Sequence, residues 1–170
     1  NLIDTQTAMK FLKGQGHEFV SDAGQADAIL INTCAFILDA REESINAILE
    51  MAEYKKMNCQ KLIVMGCLAQ RYKNELEQEI PEVDRFISID EYPHLEEIFA
   101  GLLPSDTVGE NDTVLATKPW MAYLRIADGC DNRCAFCAIP LIRGHYKSEP
   151  MEKLLLEADN LAKMGVKELN

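Results

Sequence analysis

Ala28-Ile29-Leu30-Ile31-Asn32-Thr33-Cys34 decides the fold class. Its four consecutive apolar residues, with no polar alternation, suit a strand buried on both faces of a parallel sheet. A second such run, Leu62-Ile63-Val64-Met65, leads into Gly66-Cys67, and Arg85–Ile89 supplies a third. Between them lie stretches of helical period. Thr5 to Lys13 reads as a helix ended near Gly14 and Gly16. Ile45, Ile48, Leu49 and Ala52 fall at i, i+3, i+4 and i+7, behind an Asp39 and Glu42 pair that has the form of a capping box. Gln70–Glu79 is an acidic helix stopped by Pro81, and His94–Ala100 is a further one. Strand and helix in alternation predict an α/β domain with a parallel sheet over residues 1–100.

The apolar periodicity fades from Gly101 to Pro119, where glycine, proline, serine, asparagine and aspartate accumulate, so residues 101–118 are expected to form a linker. A new α/β unit begins beyond it. Met121–Ile126 reads as a strand and Gly129 to His145 as a cysteine-bearing loop. Ser148 is expected to cap a helix with Met151, Leu154, Leu155, Ala158 and Ala162 on one face, and Val166 opens another strand. One strand–loop–helix–strand unit cannot close a core alone, so residues 119–170 are expected to be the start of a second, truncated domain.

The chain has 170 residues, 48% hydrophobic and 26% charged, the composition of an ordinary globular protein. No apolar run reaches the roughly 18 residues that span a bilayer, and a cytoplasmic protein without membrane attachment is expected. The net charge of −11 is confined to the first part: residues 1–118 carry 10 Lys/Arg against 21 Asp/Glu, and residues 119–170 carry 7 against 7. Such an acidic surface repels phosphate backbones, so no direct grip on nucleic acid is expected from this chain; it suits a basic protein partner, or serves solubility alone.

Three of the six cysteines crowd into Cys130-Asp131-Asn132-Arg133-Cys134-Ala135-Phe136-Cys137. Thiolates at this C-x3-C-x2-C spacing can bind three irons of a [4Fe–4S] cluster and leave the fourth open. An open iron can chelate the amino and carboxylate groups of S-adenosylmethionine, and electron transfer to the sulfonium then yields a 5′-deoxyadenosyl radical. Placement after the first strand of an α/β unit agrees, because active sites of β/α barrels lie at the C-terminal strand ends. Phe136 is a candidate to pack against the adenine, or simply to fill the loop. Arg143 is a candidate to touch S-adenosylmethionine or substrate, or to make an ordinary loop contact. The alternatives for the triplet are a zinc site with His145 as fourth ligand and, more remotely, a disulfide. Cys34 and Cys67 each sit just past a buried strand and before a helix, so a parallel sheet brings them to one edge, where a second metal site can form. Taken on spacing alone, they can equally be two buried cysteines.

Resemblance narrows these readings. Asn32-Thr33-Cys34-Ala35-Phe36-Ile37 with Ala40-Arg41-Glu42-Glu43-Ser44-Ile45, then Gly66-Cys67-Leu68-Ala69-Gln70-Arg71-Tyr72, and then Gly129–Pro140 with Ile142-Arg143-Gly144 resemble, in order, signatures of the radical S-adenosylmethionine methylthiotransferase family. The resemblance implies a parallel-sheet N-terminal methylthiotransferase domain followed by the first β/α unit of a partial radical barrel. It implies two [4Fe–4S] clusters, one on Cys130, Cys134 and Cys137 and one on three cysteines of the first domain. Cys34 and Cys67 match two of those three; the third is expected in a segment that precedes Asn1 in the family. Ser148-Glu149 departs from the Ser-Arg expected there. Within the family, Cys34-Ala35-Phe36-Ile37 and Glu42-Glu43-Ser44-Ile45 resemble the branch that adds a methylthio group to the β-carbon of an aspartate in a small-subunit ribosomal protein, rather than the tRNA-modifying branch. That resemblance implies a ribosomal-protein substrate, possession of an electron donor protein as partner, and inactivity of this fragment by itself. Cys59, His17, His94 and His145 are expected to be structural or surface residues.

Overall fold

In the computed structural model, residues 2–105, 109 and 114–170 are described. The elements run α1 (Leu2–Gly14), β1 (Ala28–Thr33), α2 (Leu38–Ala52), β2 (Lys61–Gly66), α3 (Cys67–Glu79), β3 (Arg85–Ile87) and α4 (Leu95–Leu102). They continue as β4 (Met121–Ala122), β5 (Ala127–Asp128), α5 (Ile139–Arg143), β6 (Lys147–Ser148), α6 (Met151–Lys163) and β7 (Glu168–Leu169). Strands β1, β2 and β3 form a parallel sheet in that order. The α/β class and the parallel sheet expected from the apolar runs are both present.

Alternation along β2 and β3 builds a core on each face of this sheet. Leu62, Val64 and Phe86 face Ile48 and Ala52 of α2 and Leu68 and Leu76 of α3. Ile63, Met65 and Ile87 face Ala8 and Leu12 of α1 and Leu95 and Phe99 of α4. Covering both faces with helices is what permits strands without polar alternation. The buried stripe of α1 is Asp4, Ala8 and Leu12 at four-residue intervals, so an aspartate occupies a core position.

Several boundaries differ from the sequence expectation. The Asp39–Glu42 box does not form: α2 starts after Ile37, which makes no side-chain cap, and Asp39 lies inside the first turn, where a carboxylate favours the helix dipole. The capping box is instead Ser88 with Glu91, at a 3-10 turn over Ile89–His94 that replaces the end of the expected third strand. Helix α3 starts at Cys67 itself, three residues before the expected Gln70, and is kinked at Tyr72. Ser148 caps no helix; it lies in β6, which pairs antiparallel with β5, and α6 begins after Pro150. The expected strand Met121–Ile126 is ordered as β4 only at Met121–Ala122, where it pairs parallel with β7. Much of the predicted linker, residues 106–108 and 110–113, lies outside the described residues, while Gly101 and Leu102 still belong to α4. The core of this later part is small, with Ala122, Leu161 and Val166 buried. Met151 and Leu155, on the apolar face expected for α6, are exposed.

Glu91 ties the end of β3 to α3. Its carboxylate accepts from the Ser88 N–H (2.9 Å) and hydroxyl (2.8 Å) and from Lys73 Nζ (3.0 Å), and it pairs with Arg85. Burial opposes its charge, but Ser88, Lys73 and Arg85 outweigh that and hold its pKa down at about 2, from an ordinary 4.5. A depressed carboxylate pKa stabilises the fold above the unfolded value and loses that contribution as pH falls through the folded one. Glu91→Gln is therefore expected to cost about 1–3 kcal/mol at neutral pH. It should also flatten the loss of stability between roughly pH 5 and pH 2, as read by urea unfolding across that range.

Candidate cysteine-based active site

The register that pairs β1 with β2 places Thr33 opposite Gly66, so Cys34 and Cys67 leave the same sheet edge side by side. Three local features hold that edge. The buried Thr33 hydroxyl donates to Met65 O (2.6 Å) and accepts from the Leu68 N–H (3.3 Å). Ser44, on the buried stripe of α2, accepts from the Cys34 N–H (3.1 Å), and its own hydroxyl lies 2.7 Å from Ala40 O. Gly66 turns the chain from strand to helix at φ +102°, a conformation side chains rarely adopt.

Cys67 is buried and opens α3. Burial pushes its thiol above the ordinary value against the pull of the Arg143 guanidinium, while Cys34 and Asp4 add to the rise. Arg143 Nη2 stands 3.8 Å from the Cys67 sulfur. That arginine belongs to α5, whose Ile142 enters the core beneath α2 and α3. It is fixed by Asp4, with Nη2 donating to Oδ2 at 2.6 Å and Nη1 to Oδ1 at 3.3 Å, and it also reaches Asp128 at 3.4 Å. Arg125 pairs with the same Asp4 carboxylate and with Asp128 (3.3 Å). Asp4 is 1% exposed; burial disfavours its charge, yet Arg143 and Arg125 hold its pKa below the ordinary carboxylate value. Desolvation acts against the charge of Arg143 too, and its bonds to Asp4 overcome that and push its pKa up.

The Cys130–Cys137 segment lies between β5 and α5. Gly129 (φ +75°) crosses His145 so closely that a Cβ would lie 2.0 Å from the His145 carbonyl oxygen, and Cys130 N–H donates to Gly144 O (3.1 Å), which closes the base of the loop. Cys130, Cys134, Cys137 and His145 line one open cavity of about 490 Å³. A second cavity of about 340 Å³ is lined by Ile3, Phe36, Arg125, Asp128, Ile139 and Arg143.

All six cysteines are free thiols. Among the described residues, no three His, Cys, Asp or Glu side chains are gathered so as to hold a metal ion. The triplet fits a metal–sulfur group by donor chemistry, as three uncommitted thiols on one cavity wall, and closing on one centre requires the loop to draw together. His145 is committed elsewhere, with Nδ1 at 2.7 Å from Asp131 Oδ1 and its side chain 92% exposed. Phe136 is 94% exposed and borders neither cavity. Cys59 is buried at the other end of the sheet, where its thiol donates to Lys61 O (3.3 Å).

Sequence reasoning singled out neither Asp4 nor the hydroxyls of Thr33 and Ser44 as parts of this region. Asp4 left a signal as a carboxylate on an apolar stripe, and Thr33 and Ser44 stand within the quoted stretches around Cys34 and Glu42. Among the described residues no helix is long and apolar enough to cross a membrane.

The chain is 45% identical to the ribosomal protein uS12 methylthiotransferase RimO of Acetivibrio thermocellus, over 99% of this chain and 41% of that protein. It is 49% identical to the RimO protein of Alkaliphilus oremlandii, over 99% of this chain and 40% of that protein. A third RimO protein, from Pelobacter propionicus, is 45% identical over 100% of this chain and 41% of its own length. The chain thus spans about two fifths of the length of these curated relatives. Residues 1–88, just over half of the chain and the segment holding the sheet edge with Cys34 and Cys67, match the uncharacterized protein family UPF0004, and the chain belongs to that family.

Proposed function

We propose that this chain serves a radical S-adenosylmethionine methylthiotransferase that modifies the β-carbon of an aspartate of ribosomal protein uS12. Residues 1–102 form its methylthiotransferase domain and residues 119–170 open its radical domain, with the segment between them as linker. Cys130, Cys134 and Cys137 would hold one [4Fe–4S] cluster, and Cys34 and Cys67 would contribute two ligands to another. When bound, these groups supply reductive cleavage of S-adenosylmethionine and a sulfur for transfer. An electron donor protein is the further partner this chemistry requires.

The observation that carries the proposal is the link between the segments that hold the two cysteine sets. α5, directly after the triplet loop, packs against the core under α3, and its Arg143 touches Cys67. The helix that follows the triplet is thereby tied to the start of α3, which supports this reading. The chain's own residues bind and orient there: Ser44 and Thr33 fix the loop of Cys34 and the start of α3, and Asp4 fixes Arg143. The acidic first part accords with a basic protein substrate.

Mass spectrometry of uS12 and of tRNA checks the proposal. Both are incubated with the full-length protein after anaerobic reconstitution with iron and sulfide, in the presence of S-adenosylmethionine and a reductant. A methylthio mass increment on uS12 alone is expected. An increment on tRNA, or a protein that takes up zinc and no iron, overturns the proposal.

A further inference from the structure

The smaller cavity, about 340 Å³, shares the triplet loop as a wall with the larger one. Gly129, Ile139 and Arg143 line the smaller, and their chain neighbours Cys130, Pro140 and Gly144 line the larger. The opposite wall comes from the first domain, with Ile3 of α1 and Phe36, two residues beyond Cys34. Arg143 reaches from this cavity to within 3.8 Å of the Cys67 sulfur. No cysteine lines the cavity, but it stands between the loop of the triplet and the sheet edge that carries Cys34 and Cys67. Its charged lining is Arg125, Arg143 and Asp128. Asp4, behind it, is spent, since both of its oxygens accept from the two arginines. Asp128 is held differently. Its Oδ2 lies 3.3 Å from Arg125 Nη1 and 3.4 Å from Arg143 Nη1, beyond the roughly 2.7–2.9 Å of a tight charge-assisted bond. Its Oδ1 accepts from the Gly129 N–H at 2.9 Å, and its side chain is 37% exposed, so it has a partner and water to turn to. Arg125 is the more open of the two guanidiniums, and it carries N–H donors beyond those used on Asp4 and Asp128. A carboxylate thus already rests on Arg125, loosely, and a better-placed one can replace it.

We propose that this cavity receives the side chain of the substrate aspartate, and that Arg125 reads it by binding its carboxylate in place of Asp128. This rests on the aspartate methylthiotransferase reading above. The β-carbon is bonded directly to the carboxylate carbon, so a guanidinium that grips both oxygens also fixes the reacting carbon. Exchange of one carboxylate for another leaves the charge of the site unchanged and strands no ion. Ile3, Phe36 and Ile139 keep water from the pair and so strengthen it. An asparagine in the same place turns an NH₂ donor toward guanidinium donors and is rejected.

The test is calorimetric titration of the reconstituted full-length protein with uS12 and with uS12 whose target aspartate is changed to asparagine. The parent should prefer the aspartate form by roughly tenfold or more. Arg125→Gln should bind both forms alike. Arg125→Lys, which keeps a charge beside Asp4 but not the fork, should lose most of the preference. Asp128→Asn should bind the aspartate form more tightly than the parent does, since no internal carboxylate competes. A merely structural role for Arg125 would weaken binding or stability and leave the ratio of the two affinities as it is in the parent. A parent that binds both forms alike, an unchanged ratio in both Arg125 variants, or weaker binding of the aspartate form by Asp128→Asn overturns the inference. Failure of the functional reading is seen separately: mass spectrometry then finds uS12 unmodified by the parent, and the inference falls with it. Methylthiolated uS12 together with an unchanged ratio overturns the role of Arg125 alone.

Discussion

Asp4→Ala is expected to destabilise the protein by about 3–5 kcal/mol, the usual cost of removing one member of a buried ion pair. The carboxylate is 1% exposed and accepts from two arginines that lie 121 and 139 residues further along the chain. Removing it leaves the Arg143 guanidinium, itself only 9% exposed, with Asp128 at 3.4 Å as its remaining carboxylate partner. The loss belongs to the stranded cation as much as to the missing bond, and a double variant checks this. Asp4→Ala with Arg143→Met should be more stable than the sum of the single effects, since it strands no charge at that pair. Denaturant unfolding of the four proteins measures both quantities. The pH dependence follows from the depressed Asp4 pKa. Its contribution is present above the ordinary carboxylate value near 3.8 and is lost as pH falls through the lower folded value, so acid should separate the first domain from α5.

Gly66→Ala is expected to cost about 2–6 kcal/mol, the sum of a strained backbone and an overpacked contact. The position has φ +102°, and a Cβ there would lie 2.5 Å from both Asn32 Oδ1 and Thr33 O, and 2.9 Å from Thr33 N. Two of these are backbone atoms of β1, which cannot give way without shifting the strand that carries Cys34. The effect therefore reaches beyond stability. The alanine should displace Cys34 relative to Cys67 and lower the iron retained by the first domain, even under conditions where the chain stays folded. Circular dichroism and iron analysis of the same sample separate the two effects.

The sheet was legible because two apolar runs without alternation, with a further strand-like stretch at Arg85–Ile89, have few alternatives in a chain of this length, and the glycine and cysteine after β2 marked where it turns. Cap and end positions were less legible. Asp39 and Glu42 have the spacing of a capping box, but the chain enters α2 two residues earlier, with Ile37 at the cap, and Ser88 with Glu91 takes that role elsewhere. Helix α6 has apolar residues at helical spacing, yet Met151 and Leu155 stay exposed, because periodicity states which face is apolar and not what covers it. Cys130, Cys134 and Cys137 stood out by their spacing, whereas Cys34 and Cys67 were marked by their places after two apolar runs and by resemblance. Asp4 and the Ser44 hydroxyl were not singled out, because each acts through a partner that only the tertiary fold brings near. Arg143 shows the difference: the sequence offered S-adenosylmethionine, substrate or an ordinary loop contact, and only the fold shows Asp4 and Cys67 beside it.

The central claim is that the two cysteine sets hold two separate iron–sulfur groups. Iron and sulfide analysis with EPR of the reconstituted full-length protein tests it most directly, with Cys34→Ala/Cys67→Ala and Cys130→Ala/Cys134→Ala/Cys137→Ala compared with the parent. The parent should carry about twice the iron of either variant. A spectral change on adding S-adenosylmethionine should persist in the Cys34/Cys67 variant and vanish in the triplet variant. Equal iron in the parent and the Cys34/Cys67 variant, or zinc in place of iron in the parent, would contradict it.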